Sequence, residues 1–355
     1  MKGMIKMKEI IDARTYVINE LGNKVSELRV IKELALMNEK NFMEVYYAKK
    51  VSDFLKANNE YYIVRGIYGN LYINYLLGIT DVEPYELPYE LPYEFVFDKT
   101  EKSFIYEFNV SVFFEPQLID YINEISGGIM VRTVTSCLIP YTDQIVSLED
   151  YVNKCHDKLI EIGVMGLNGL YKLNENIKKY GLPKYDILKD SRINKEIFDN
   201  LNIDDLTYCD DKNLKKCLSL CDKDVWNFKT YVYLLAGAHG RGLIDQFGLM
   251  NITKESMEAY PTTREDLYNL LLLLRTPKEK ALKICRYTRL GRSHRCLQGK
   301  KVKEWRELVS DLPSILRGYL NEIESIFPKY HIMAFARMNY LEVYYKLLNE
   351  EGASE

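Results

Sequence analysis

Apolar side chains along residues 1–59 recur at mixed three- and four-residue spacings. In KVSELRVIKELALMNEKNFMEVYYAKKVSDFLKANNE these are Leu28, Ile31, Leu34, Leu36, Phe42, Val45 and Phe54, a pattern that predicts helices. Residues 60–80, EYYIVRGIYGNLYINYLLGIT, read as strand, glycine turn and helix. YELP then occurs twice within residues 85–94, a short proline-punctuated loop. Residues 95–115 alternate well enough to predict a hairpin, and GGIMVRTVTSCLIPY (127–141) predicts a further strand. DKLIEIGVMGLNGLYKLNENIKKYG (157–181) reads as strand, glycine turn and helix. Beyond about residue 195 the pattern is helical, with breaks near Gly237 to Gly242, Pro261, Pro277, Gly291, Pro313 and Pro328. The expected fold class is α+β, a small mixed sheet with flanking helices followed by an all-α region. The expected division is a helical segment over 1–59, an α/β subdomain over 60–190 and a helical subdomain over 191–355.

Composition narrows the class. At 47% hydrophobic and 28% charged, the 355-residue chain is a folded protein rather than a disordered one. No apolar run approaches the roughly 18–20 residues that span a bilayer. The opening MKGMIKMKEIIDAR has no apolar core of a signal peptide, so a cytoplasmic protein with no membrane partner is expected. Seven cysteines include no C-x-x-C pair. Cys217 and Cys221 share a helical spacing but lack a second pair or a nearby histidine, so free thiols are the better reading than a zinc site. Tyrosine is unusually abundant, 29 against 13 Phe and 2 Trp, which fits either AT-rich coding or a sticky surface.

Charge is uneven in a way that bears on function. The net charge is −3, yet residues 275–306 hold twelve Lys or Arg and two Glu, a surplus of ten in 32 residues. Lys280, Lys283, Arg286 and Arg289 recur every third position, near one face of a helix expected to end at Gly291. A solvated face would explain such a run. Its density in an otherwise acidic chain favours an anionic partner, a nucleotide or a nucleic-acid backbone.

Six segments, in order, resemble the palm and fingers of the PolC-type bacterial DNA polymerase III alpha subunit. EIESIFPKYHIMAFARMNYLEVYYKL (322–347) is the most specific, keeping the family's Phe327, Pro328, Lys329, His331, Ala334, Met338, Tyr344 and Lys346, with Leu341 where the family has arginine. ALKICRYTRLGRS resembles a fingers segment through Arg289, Gly291 and Arg292, and AGAHG (236–240) resembles a family S-G-L-S-H-G turn. YYIVRGIYGNLYINYLLGITDVEP, SGGIMV and KLIEIGVMGLNGLYKL resemble three palm segments. The resemblance implies a palm-like sheet, a fingers-like helical region, and binding of DNA, nucleotide or replisome components.

It also implies what has changed. Family members polymerise with three carboxylates that hold two Mg²⁺ ions. At the matching positions this chain has Glu107, Asn109 and Tyr151, with Asp150 beside the last, and the aspartate of the family's L-D-I-L-G is Gly163. Of the phosphate cradle it keeps Arg65, Gly66 and Gly69 but has Val64, Ile67, Asn70 and Leu71 for serines. Only 15 residues separate Ser111 from Gly127, where the family inserts its thumb, and YELPYELPYEFVFDKTEKSF stands where zinc-ribbon cysteines would be.

The leading expectation is therefore a non-catalytic homologue. Arg65, Gly66, Gly69, Lys283, Arg289 and Arg292 are its nucleotide- or phosphate-binding candidates, and Lys280, Arg286, Arg295, Lys300 and Lys301 its DNA-binding ones. No cofactor is expected. Two alternatives stand beside it. One is a divergent active nucleotidyltransferase using Mg²⁺ on Glu107 with Asp98, Glu115 or Asp150. The other is an interaction module that mimics the polymerase toward replisome proteins. His239 could contact a phosphate, although a turn histidine satisfied by backbone is the commoner case. His331 reads as structural, Trp226 and Trp305 as core residues, and His156 with Asp157 as a poor dyad, since strand neighbours point to opposite faces.

Overall fold

The computed structural model describes residues 13–85, 91–97, 104–141, 146–155, 157–199, 205–209, 212–243, 253–289, 293 and 297–352. The chain folds as two compact units that divide after Gly181. Helices α1 (Ala13–Leu21), α2 (Leu28–Leu36) and α3 (Glu39–Ala57) lead into β1 (Ile63–Arg65) and α4 (Tyr72–Leu76). There follow β2 (Tyr106–Ser111), α5 (Glu115–Ile125), β3 (Val131–Arg132), β4 (Ser136–Pro140), α6 (Leu148–Val152), β5 (Leu159–Leu167) and α7 (Asn168–Tyr180). The five strands form one mixed sheet in the order β1-β2-β5-β4-β3, in which only β2 and β5 run parallel.

Strand β2 explains the layering. Tyr106, Phe108 and Val110 alternate onto one face and are completely buried in a core shared with Val45, Ala48, Val51 and Leu55 of α3. The N-terminal helices thus share a core with the sheet. Glu107, Asn109 and Ser111 take the other face, and α7 packs against β2. A buried glutamate ties these parts together: Glu60 Oε1 accepts the Ser111 amide at 3.0 Å and Asn174 Nδ2 at 2.9 Å, while Asn174 Oδ1 accepts the Tyr61 amide.

Helix α2 departs from its apolar spacing. Leu28, Ile31 and Leu36 are exposed, whereas Arg29, Val30 and Glu33 are buried. Arg29 Nε lies 2.5 Å from Glu33 Oε1, and Glu33 in turn accepts the Tyr72 and Ile73 amides at 3.0 Å each. These are opening N–H groups of α4, which its preceding residue Leu71 does not cap. Arg29 also donates to the carbonyls of Asn70 and Leu91 at 2.9 Å, with its guanidinium 4.2 Å from the Tyr93 ring centre. One buried ion pair therefore fixes α2, α4 and the 91–95 segment.

Two other expectations change. The hairpin over 95–115 is a single strand, β2, whose partners are β1 and β5; residues 98–103 lie outside the described part. Strand β5 runs through Gly163 and Gly166 straight into α7, with no glycine turn between.

The second unit is helical: α8 (Ser191–Asp199), α9 (Lys212–Ser219), α10 (Phe228–His239), α11 (Lys254–Ala259), α12 (Arg264–Leu273), α13 (Lys278–Arg286), α14 (Lys300–Leu308), α15 (Ser314–Glu322) and α16 (Lys329–Gly352). Helices α8, α10 and α12 each pack against α16. Tyr231, Tyr330, Tyr340 and Tyr345 are fully buried, and so is Tyr106 of the first unit. Much of the tyrosine excess is therefore core, not a sticky surface. Cys209 and Tyr231 meet Asn339 Oδ1 at 3.4 and 3.0 Å. Cys217 and Cys221 are buried, and burial pushes the Cys221 thiol up to about 12. No described helix is long and apolar enough to cross a membrane.

Candidate functional site

The first site lies on the sheet, where β1, β2 and β5 bring Arg65, Glu107 and Gly163 side by side. Arg65 Nη2 donates to Glu107 Oε1 at 3.2 Å, and its Nε lies 3.2 Å from Oε2. The guanidinium is thus tied to the carboxylate by one hydrogen bond and one close ionic contact. A Cβ at Gly163 would lie 3.0 Å from Glu107 Cγ and 3.2 Å from its Cα, so a side chain there would press on Glu107 and need it to give by a few tenths of an ångström.

Two residues further along β2, Asn109 is 1% exposed, and neither Oδ1 nor Nδ2 has a hydrogen-bond partner among the described residues. A buried amide without partners is a burden on stability. Asn109→Leu is accordingly expected to leave the unfolding free energy unchanged or raise it by about 1 kcal/mol. Asn109→Asp should lower it by roughly 2 kcal/mol or more at neutral pH. Burial raises a carboxyl pKa, so the folded aspartate variant would hold its proton more tightly than the unfolded chain. Its stability should therefore be greatest in acid and fall as pH rises above the unfolded value. Urea unfolding of both variants near pH 4 and pH 7 checks this.

Tyr151 is not on a strand but in the short helix α6. Its neighbour Asp150 closes that helix's capping box with Ser147 and accepts from Lys158 at 2.8 and 3.0 Å. Lys158 foremost, with Ser147, holds the Asp150 carboxyl well below the usual carboxylate range. Glu115 accepts from Arg132 Nη2 and from the Gly166 amide, each at 2.8 Å. The carboxylates considered as partners for Glu107 are thus engaged elsewhere, and Asp98 lies outside the described residues. Among the described residues no group of three His, Cys, Asp or Glu could hold a metal ion. Gly66 supplies the positive φ of +100° that turns the chain after Arg65, and Gly69 is buried in the turn Tyr68–Asn70.

The second site lies wholly within the helical unit. The extended residues 325–327, just before α16, bond to three separate segments. The Arg241 amide donates to the Ser325 carbonyl at 2.8 Å, the Ile326 amide to the Thr288 carbonyl at 2.8 Å, and the Arg264 amide to the Phe327 carbonyl at 3.1 Å. These bonds gather Arg241, Arg264 and, next to Thr288, Arg289. With His239, Ser325, Ile326 and Phe327 they line a pocket of about 410 Å³. Gly242 makes the turn possible: its φ is +80°, and a Cβ would lie 1.9 Å from the Glu322 carbonyl oxygen. His239 Nδ1 is 2.9 Å from the Leu235 carbonyl, and its ring stacks on Tyr208 at 3.9 Å. Lys329 is buried and paired with Asp266 at 2.6 Å, while its amide donates to Glu265.

Arg289 was expected on the face of a helix ending at Gly291. Instead α13 ends at Arg286, where Thr288 folds back so that its hydroxyl donates to the Cys285 carbonyl at 2.7 Å. Lys280 pairs with Asp311 at 2.5 Å. Lys283, Lys300 and Lys301 are exposed and Arg286 is half-buried, whereas Arg292 and Arg295 lie outside the described residues. Arg241 and Arg264 did not stand out in the sequence, being isolated from the basic run. The Thr263-x-x-Asp266 cap was the available signal, since it starts α12 at Arg264.

Three of the six resembling segments, those with His239, Arg289 and Phe327, thus meet at one pocket, and those with Arg65 and Gly163 lie on one sheet on either side of Glu107. Comparison with known families adds independent weight to the sheet. Residues 6–125 match the model of the bacterial DNA polymerase III alpha NTPase domain. Over these residues the chain is similar to that domain. The matched part holds α1 to α5 with β1 and β2, and so includes the Arg65–Glu107 pair. No curated protein matches the chain.

Proposed function

We propose that this polymerase III alpha-like protein binds the phosphates of nucleotides or DNA without extending a primer. The observation that carries the reading is the Arg65–Glu107 pair: the carboxylate at a family metal position is bound by the arginine of the family's phosphate cradle. Two-metal chemistry needs several carboxylates converging on ions about 3.5–4 Å apart. Here one is ion-paired, one is a neutral buried amide, and the third position is Tyr151. The three arginines of the helical pocket, by contrast, form a concave cationic site of the kind that suits phosphate. Lys283, Lys300 and Lys301 are exposed and offer further positive charge to a nucleic-acid backbone.

Fluorescence anisotropy with a labelled primer–template at two salt concentrations, with Mg²⁺ and nucleotide present, tests the reading. Binding is expected to fall steeply with salt and to weaken at least about tenfold in Arg289→Glu/Arg292→Glu, with a shallower salt slope. No primer extension is expected with Mg²⁺ or Mn²⁺. Templated extension abolished by Glu107→Gln would establish the divergent nucleotidyltransferase instead. Absent DNA affinity with capture of replication proteins would favour the interaction module.

A further inference from the structure

Among the described residues Phe113 is the most exposed aromatic side chain, at 68%, and neither site above uses it. Its ring meets that of Tyr171 in α7, also exposed, with centres 4.7 Å apart and planes at 71°. We propose that this pair is a base-stacking platform of the first unit, which binds single-stranded nucleic acid together with the lysines of α7. The platform shares no residue with the helical pocket and does not rest on that pocket's taking up phosphate.

Local structure holds Phe113 outward. Strand β2 ends at Ser111, whose amide is held by Glu60, and the Phe114 amide closes a turn onto the Ser111 carbonyl at 2.9 Å. The turn sits directly on β5, where a Cβ on Gly166 would lie 2.8 Å from Val112 Cα. Phe114 packs inward against Phe54 and the core, which leaves its neighbour outside. A ring already fixed by its backbone loses little freedom when a base stacks on it. An edge-to-face contact occupies a face of only one of the two rings, whereas parallel stacking would cover a face of each.

Helix α7 supplies the charge. Leu170, Leu173 and Asn174 are buried, while Tyr171, Lys172, Glu175, Lys178 and Lys179 are exposed and fall on one side of a 3.6-residue helix. Three lysines thus stand against one glutamate, which pairs with Lys178 at 3.0 Å. An aliphatic patch would suit an apolar protein groove. Aromatic rings beside lysines suit bases that stack and phosphates that need a counter-charge. In a duplex the base faces are already stacked on one another, so a surface ring reaches them only in a single strand.

The probes are an oligothymidylate of about ten nucleotides and an abasic strand with the same number of phosphates, titrated into the full chain. Phe113→Trp places a reporter at the platform. Its emission, over the background of Trp226 and Trp305, is expected to fall on saturation with oligothymidylate and not with the abasic strand. Affinities are compared by anisotropy in an Arg264→Glu/Arg289→Glu chain, where the pocket no longer contributes. There Phe113→Ala/Tyr171→Ala should weaken oligothymidylate binding at least about fivefold and leave the abasic strand unaffected. Both side chains are exposed, so the urea midpoint should hold. Lys172→Glu/Lys179→Glu should weaken binding of both strands and make the salt dependence shallower. Unchanged emission at saturation, or equal oligothymidylate affinity in the folded double alanine variant, would overturn the platform. So would a lack of oligothymidylate binding by the unaltered chain, whatever the pocket does with phosphate.

Discussion

Gly242→Ala is expected to abolish anion binding by the helical unit and to destabilise that unit by about 3 kcal/mol. The positive φ of +80° alone costs a side-chain-bearing residue on the order of 1–3 kcal/mol. The added Cβ would also lie 1.9 Å from the Glu322 carbonyl oxygen and 3.1 Å from the Glu324 amide, so the two backbone segments must separate. The Arg241–Ser325 and Glu324–Arg241 bonds hold those segments together, and each is worth about 0.5–1.5 kcal/mol. Their loss moves Arg241 away from Arg264 and Arg289. Arg241→Ala, which leaves the backbone alone, should weaken sulfate binding while changing stability by less than about 1 kcal/mol. Urea unfolding and sulfate titration of the two variants separate the roles. Equal stability and equal binding in Gly242→Ala would contradict the turn as described.

Glu33→Ala should be as damaging to the first unit, lowering its stability by about 3–5 kcal/mol. Arg29 would stay buried without its carboxylate, and the Tyr72 and Ile73 amides would lose their acceptor. The paired replacement Arg29→Met/Glu33→Leu should cost less than Glu33→Ala alone, because it removes both buried charges. It should still cost something, since the carbonyls of Asn70 and Leu91 lose the Arg29 donor. The urea midpoint of the N-terminal unit checks the order. A double variant weaker than Glu33→Ala would contradict it.

Helix α2 also shows where a sequence stops being informative. Its leucines and isoleucine recur at helical spacing, so the helix itself was legible. The apolar residues were the obvious buried face, but Leu28, Ile31 and Leu36 face solvent and an ion pair is inside. Periodicity reports hydrophobicity, and a buried Arg–Glu pair that also serves backbone groups of a distant helix carries no such signal. Strand β2 was legible from its alternation, its partners were not, because its pairing with β5 joins residues far apart in the chain. Arg289 stood out through the density of charge around it. Arg241 and Arg264 are single arginines, brought to the same pocket by hydrogen bonds of residues 324–327. The changed positions Glu107 and Asn109 could be read as substitutions. That Arg65 would hold Glu107 required the β1–β2 register.

The central claim is that phosphate recognition persists in a protein whose metal-binding carboxylates are gone. Equilibrium titration of the chain with a fluorescent nucleoside triphosphate, in excess Mg²⁺ and again in chelator, tests it most directly. The account predicts binding that is not diminished by the chelator, is insensitive to Glu107→Gln and is lost in Arg264→Glu/Arg289→Glu. Binding that requires Mg²⁺ and disappears in Glu107→Gln would contradict it.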